Sequence, residues 1–155
     1  MQIQADNAQL WLFPNFIKSS QARALFDYLE NEVYWRQDQL QMYGKSVDIP
    51  RLQAWFGEKD ANYAYSGLTM KPLPWLPVLA KLEKSLTIQC QTIINNNGDS
   101  RAINFNSALA NYYRDNNDAV GWHSDDEPEL GVNPIIASVS LGATREFKLK
   151  HKITG

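Results

Sequence analysis

From Ser19 onward apolar side chains fall at Ala22, Leu25, Phe26, Leu29 and Val33, steps of three and four that line one stripe of a helix. Ser19 or Ser20 offers a hydroxyl to cap its first amides, and a short apolar stretch from Trp11 to Phe16, broken by Pro14, leads into it. Such a stripe needs covering, so this helix is expected to pack on a sheet. The same period returns after Pro74 and Pro77 in Trp75, Leu79, Leu82, Leu86 and Ile93. It stops in the turn-rich run Asn95-Asn96-Asn97-Gly98-Asp99.

Between the two helices, Gly44, Pro50, Gly57 and Gly67 divide Gln41 to Gly67 into aromatic-rich pieces, the layout of hairpins. Beyond the second helix, Ser107 to Tyr113, Ile135 to Leu141 and Arg145 to Lys150 read as strands. In the last, Phe147 and Leu149 alternate with Glu146, Lys148 and Lys150, one face apolar and the other charged. No internal repeat and no low-complexity segment interrupts this plan. The pattern predicts an α+β domain, with two early helices backing an antiparallel sheet or sandwich.

Composition narrows the class without naming a function. The 155 residues amount to about one domain, and 44% apolar with 21% charged residues suit a globular chain. Five Trp, seven Tyr and six Phe fit either large core side chains or a surface that stacks bases. A net charge of −2 gives no global basic field. Locally, six carboxylates from Asp115 to Glu129 meet no Lys or Arg, whereas Arg145, Lys148, Lys150 and Lys152 face only Glu146. That contrast fits a metal site beside a polyanion-binding rim, and equally solvated loop charge. The single Cys90 excludes an internal disulfide, and no signal peptide or membrane-spanning run is present. A cytoplasmic protein of bacterial type is expected.

The candidate chemistry centres on His123-Ser124-Asp125. On an extended strand alternate residues share a face, so one imidazole and one carboxylate would converge on a common point. Two His and one carboxylate on one face hold a divalent first-row metal and leave positions open for co-substrate and oxygen. The tripeptide alone is common; its surroundings are not. Asn111-Tyr112-Tyr113 precedes it, Gly121-Trp122 leads into it, and Asp126-Glu127 follows. Then come Asn133-Pro134, the apolar run Ile135 to Leu141, and Gly142-Ala143-Thr144-Arg145-Glu146-Phe147.

In this ordered series the chain resembles the AlkB family of Fe(II)- and 2-oxoglutarate-dependent dioxygenases. Upstream, Gln41-Met42-Tyr43-Gly44-Lys45, Pro50-Arg51-Leu52-Gln53 and Tyr63-Ala64-Tyr65-Ser66-Gly67 are similar to the nucleotide-recognition segments of members acting on duplex DNA. The resemblance runs from Gln41 to His151. It implies a double-stranded β-helix (jelly-roll) core backed by the two helices, with a nucleotide-recognition hairpin region ahead of it. It further implies iron on His123 and Asp125, and 2-oxoglutarate on Asn111 and Tyr113. Tyr63, Tyr65 and Ser66 would line a base pocket, with Arg51 and Arg145 near substrate and Met42-Tyr43-Gly44 at a hairpin tip wedged into the stack. Asp126 and Glu127 would orient Arg145 or position the lesion. A flipped-out base costs a few kcal/mol of stacking, and one aromatic contact returns about 1–3 kcal/mol.

The implied reaction is oxidative dealkylation of N-alkylated bases in DNA, or RNA, with Fe(II), 2-oxoglutarate and O₂, the alkyl group leaving as an aldehyde. His151, between Lys150 and Lys152, is read as a surface or nucleic-acid contact and not as the third iron ligand. In the family that ligand and an Arg for the distal carboxylate of 2-oxoglutarate lie further along, beyond Gly155. The expectation is therefore one AlkB-like domain over 1–155, incomplete at its C-terminus. Residues 1–106 would carry the helices and the nucleotide-recognition region, and 107–155 the first part of the core, with the distal strands absent. Such a piece alone would bind iron poorly, turn over little, and be open to strand-swapped association, its oligomeric state otherwise open. The rival reading is a catalytically inactive nucleic-acid-binding remnant of the same fold. A metal hydrolase would need a second carboxylate cluster outside Asp115 to Glu129, and the sequence has none.

Overall fold

A computed structural model of the chain describes residues 1–5, 8–42, 44–65, 68–125 and 127–151. Two helices and eight strands occur among them. In chain order these are β1 (Gln2–Ala5), β2 (Ala8–Trp11), α1 (Ser19–Glu32), β3 (Gln39–Met42), β4 (Lys45–Asp48), β5 (Leu52–Gly57), β6 (Tyr63–Tyr65), β7 (Leu68–Met70), α2 (Pro77–Asn96) and β8 (Ser107–Tyr112). A single 3-10 turn follows at Pro128–Leu130. The strands form four two-stranded antiparallel sheets, β1-β2, β3-β4, β5-β8 and β6-β7, and no barrel closes among the described residues. No helix among the described residues is long and apolar enough to cross a membrane.

The chain divides into two units. One comprises Met1–Glu32 with Val139–Gly155, the other Val33–Ser138. In the first, β1 and β2 pair from Gln2↔Trp11 to Ala5↔Ala8. Ala22, Leu25, Phe26 and Leu29 of α1 are half-buried while no residue of this helix is fully buried, so the predicted stripe is present but only partly covered. Phe26 lies against Gly142, where a Cβ would meet its ring at 2.8 Å.

In the second unit β5 is the organising strand. Its last five residues, Gln53 to Gly57, are all buried, the signature of a strand covered on both faces. One edge pairs with β8 from Leu52↔Tyr112 to Gly57↔Ser107. The other is taken by single bridges, Arg36↔Gln53 and Phe56↔Leu73. Trp55, Met70 and Leu109 form an apolar cluster over it, and Phe56 is 2% exposed. A polar side chain also sits in this core: Gln53 donates to Asp38 Oδ2 at 2.8 Å, and Asp38 accepts from Arg36 at 2.7 Å. Each is buried and satisfied, as burial of polar groups requires.

The structure departs from the expected strands downstream. Residues 135–141 alternate half-buried and exposed, the side-chain rhythm of a strand, yet neither they nor 145–150 enter a ladder. Strand pattern describes one chain; a strand also needs a neighbour for its N–H and C=O groups, and none pairs with these segments among the described residues.

Candidate metal and co-substrate site

The expected hairpins appear where the glycines and prolines placed them. β3 and β4 pair in register from Gln39↔Asp48 to Met42↔Lys45, so Tyr43 and Gly44 connect them. Gly44 takes φ +76°, a conformation that costs glycine nothing. Tyr43 lies outside the described residues, and for Met42 the backbone alone is described. β6 and β7 pair from Tyr63↔Met70 to Tyr65↔Leu68, and for Tyr63 and Tyr65 the backbone alone is described. Ser66 and Asp126 lie outside the described residues.

The chain enters β5 through Arg51, 7% exposed, whose Nε donates to Asn111 Oδ1 at 2.9 Å. The β5–β8 register explains the meeting, since Asn111 sits opposite Gln53, two residues from Arg51. Tyr112 points to the other face of β8, where its ring lies 5.3 Å from that of Trp35. Asn111 thus lies on the face that Arg51 reaches, and half-buried Tyr113 follows directly after the end of β8.

From Tyr113 the chain must turn back to reach His123, and an ion pair between exposed Arg114 and buried Asp118 holds that turn. Arg114 donates from Nε to Asp118 Oδ2 at 2.7 Å and from a terminal nitrogen to Oδ1 at 2.9 Å. Its backbone N–H adds a third bond to Asp118 Oδ2 at 2.9 Å. Asp118 is 5% exposed, and its hydrogen bonds raise the guanidinium pKa of Arg114 above the ordinary value. Ala119 then donates to Pro50 O at 2.8 Å, docking the loop beside Arg51. Asp118 is thus neither solvated loop charge nor a metal ligand. The Arg-x-x-x-Asp spacing that could have revealed it was hidden within a run of carboxylates.

His123 and Asp125 stand on an irregular segment and not on the strand expected for them. They converge all the same. His123 Nδ1 lies 2.9 Å from Gly121 O, and a carbonyl can only accept, so Nδ1 donates there and Nε2 is the ring nitrogen turned towards Asp125. That Nε2 lies 3.5 Å from Asp125 Oδ1. Donors at about 2.1 Å on adjacent positions of one divalent ion stand roughly 3 Å apart, close to the observed gap. With side chains 56% and 44% exposed, the pair is within reach of an ion from solvent. A ligand His whose second nitrogen donates to a backbone carbonyl is oriented as metal centres require. The two residues fit a divalent metal. Among the described residues no group of three or more His, Cys, Asp or Glu side chains gathers there or elsewhere.

Glu127 is half-buried in the same unit. Arg145 is exposed and His151 half-buried, both in the other unit.

A family model described as the 2OG-Fe(II) oxygenase superfamily matches residues 9–154, and the chain belongs to that family. Its relatives narrow the branch. It is 40% identical over 146 residues to a Mus musculus protein named alpha-ketoglutarate-dependent dioxygenase alkB homolog 3, covering 94% of this chain and 46% of the relative. It is 39% identical over 137 residues to the Homo sapiens DNA oxidative demethylase ALKBH2, covering 86% and 48%. The Arabidopsis thaliana protein of that name is 33% identical over 140 residues, with 88% and 41% covered. The chain is an AlkB-like oxygenase, as the motif series implied, and spans about half the length of the curated relatives it matches.

Proposed function

We propose that the protein oxidatively dealkylates N-alkylated bases in DNA, with Fe(II) and 2-oxoglutarate at the site formed by His123, Asp125, Asn111 and Tyr113. The carrying observation is the convergence of His123 Nε2 on Asp125 Oδ1, with Nδ1 tied to Gly121 O. Bound iron and 2-oxoglutarate supply oxidising power towards the N-alkyl carbon. The chain's residues do the positioning. His123 and Asp125 hold the metal from one side and leave its other positions open. Asn111, its oxygen engaged by Arg51, turns its amide N–H groups outward to a carboxylate of 2-oxoglutarate. Tyr113, directly after the end of β8, adds a hydroxyl. The β3-β4 hairpin fills the gap left by an extruded base, while Tyr63, Tyr65 and Ser66 receive it and Asp126 and Glu127 face the damaged nucleotide. The finer fold we infer is a double-stranded β-helix backed by α1 and α2.

Two measurements test this. Release of succinate and aldehyde from an oligonucleotide bearing one N-methylated base should be slow but Fe(II)-dependent in this chain, and abolished in His123→Ala and Asp125→Ala. Co(II) titration, followed by its d–d absorption, should show weak binding that both variants lose. Preferential binding of the methylated oligonucleotide without any turnover would instead establish an inactive reader of the same lesions.

A further inference from the structure

Away from this site, a groove of about 690 Å³ opens at the foot of the β6-β7 hairpin, lined chiefly by Lys59, Asp60, Asn62, Lys71, Pro74 and Trp75. Its volume is that of a small-ligand site. Both walls are fixed to β5. The indole of Trp55 donates to Ala61 O at 2.7 Å, and Glu58 N donates to Asn106 O at 2.9 Å, holding the turn that carries Lys59 and Asn62. On the other side Leu73 N donates to Trp55 O at 2.8 Å and Gly57 N to Leu73 O at 3.1 Å, holding the segment from Lys71 to Trp75. At its floor a Cβ on Gly57 would come within 3.0 Å of Asn106 O, so that position is closely packed. A groove built this way needs little ordering when a ligand arrives.

Its chemistry is that of a nucleic-acid strand site. Lys59 and Lys71 are exposed at the rim, with Asp60 among the lining side chains and Glu58 exposed beside Lys59, and half-buried Trp75 offers an indole. One residue beyond Trp75, α2 begins at the cap Leu76 with no side-chain cap and no acidic residue in its first turn, adding positive potential nearby. Two ammonium groups and an aromatic surface match phosphates and a stacked base. We propose that this groove binds a single-stranded stretch of nucleic acid, with phosphates at Lys59 and Lys71 and a base on Trp75. The proposal rests on the nucleic-acid reading above. It extends the substrate contact from the flipped base to the strand that flanks it.

The probe is an unmodified single-stranded oligodeoxynucleotide, titrated over a range of salt concentrations without iron or 2-oxoglutarate, so that binding is read independently of turnover. The double variant Lys59→Glu/Lys71→Glu should weaken binding and lower the slope of log affinity against log salt by about 1.4. Lys81→Glu/Lys84→Glu, on exposed positions of α2, makes the same change in net charge and should leave the slope unaltered. Trp75→Leu should cost about tenfold in affinity at fixed salt with no change in slope. Equal effects of the two double variants, an unchanged slope in the first, no binding by the unaltered protein, or full affinity in Trp75→Leu would each overturn the proposal. A complete absence of succinate release with this binding pattern intact would favour the inactive reader over dealkylation and leave the groove standing.

Discussion

Arg51 shows how one side chain can serve two neighbourhoods. It leaves the turn that precedes β5, nearly inaccessible to solvent, and fixes the orientation of the Asn111 amide by donating to its oxygen. Lysine keeps the charge but has no Nε to donate along that line. Arg51→Lys is therefore expected to raise KM for 2-oxoglutarate about tenfold, the equivalent of one charge-assisted hydrogen bond, and to leave KM for the nucleic acid less affected. Equal rises in both constants would show that Arg51 acts on the base instead. Cys90 gives a second residue-scale test. Burial raises its thiol pKa, so less thiolate is present at a given pH than in an unfolded chain. Iodoacetamide should modify it more slowly in the native protein than in urea, with the native rate still climbing above the usual thiol range. The raised native value adds stability below the unfolded thiol pKa, and that part fades as pH rises through the native one.

At the level of elements, a helix is joined to a turn through a glycine. Gly142 has φ +79°, and an added Cβ would stand 2.8 Å from Cε2 of Phe26 on α1. Gly142→Ala meets two penalties, left-handed strain and a steric clash, together about 2–4 kcal/mol. Urea unfolding should show this loss. Combining it with Phe26→Leu should recover the clash alone and leave the backbone strain, a non-additivity that marks direct contact. β5 is governed by different physics. Phe56 is almost fully buried at its centre, and Phe56→Ala should cost about 3–5 kcal/mol through a cavity that both sheet edges hold open.

Across the whole chain, protection should follow the ladders. The amides shared by β5 and β8 are paired, and those β5 strand residues are buried. Residues 135–141 have strand rhythm without strand hydrogen bonds. Hydrogen exchange is expected to be slowest in Leu52–Gly57 and Ser107–Tyr112 and faster by orders of magnitude in 135–150. Comparable protection in the two regions would contradict this assignment of β pairing. Charge follows the same local logic: a net −2 conceals a buried Asp118 neutralised by the exposed Arg114 and two lysines on the rim of one groove.

Much of this was legible in the residues themselves. Period and punctuation set α1, α2 and the hairpin turns, because these depend on neighbours within four positions and on what glycine and proline permit. The spaced motifs were enough to mark the family and to nominate His123, Asp125, Asn111 and Tyr113. Whether a strand finds a partner is not local, and so the rhythm of 135–141 could not show whether a ladder forms. Nor could spacing reveal that Arg51 reaches Asn111, sixty positions away, or that Asp118 is a buried anchor. Those facts arise when β5 and β8 pair and bring distant side chains into one dry space, where an unsatisfied charge is costly and geometry selects its partner.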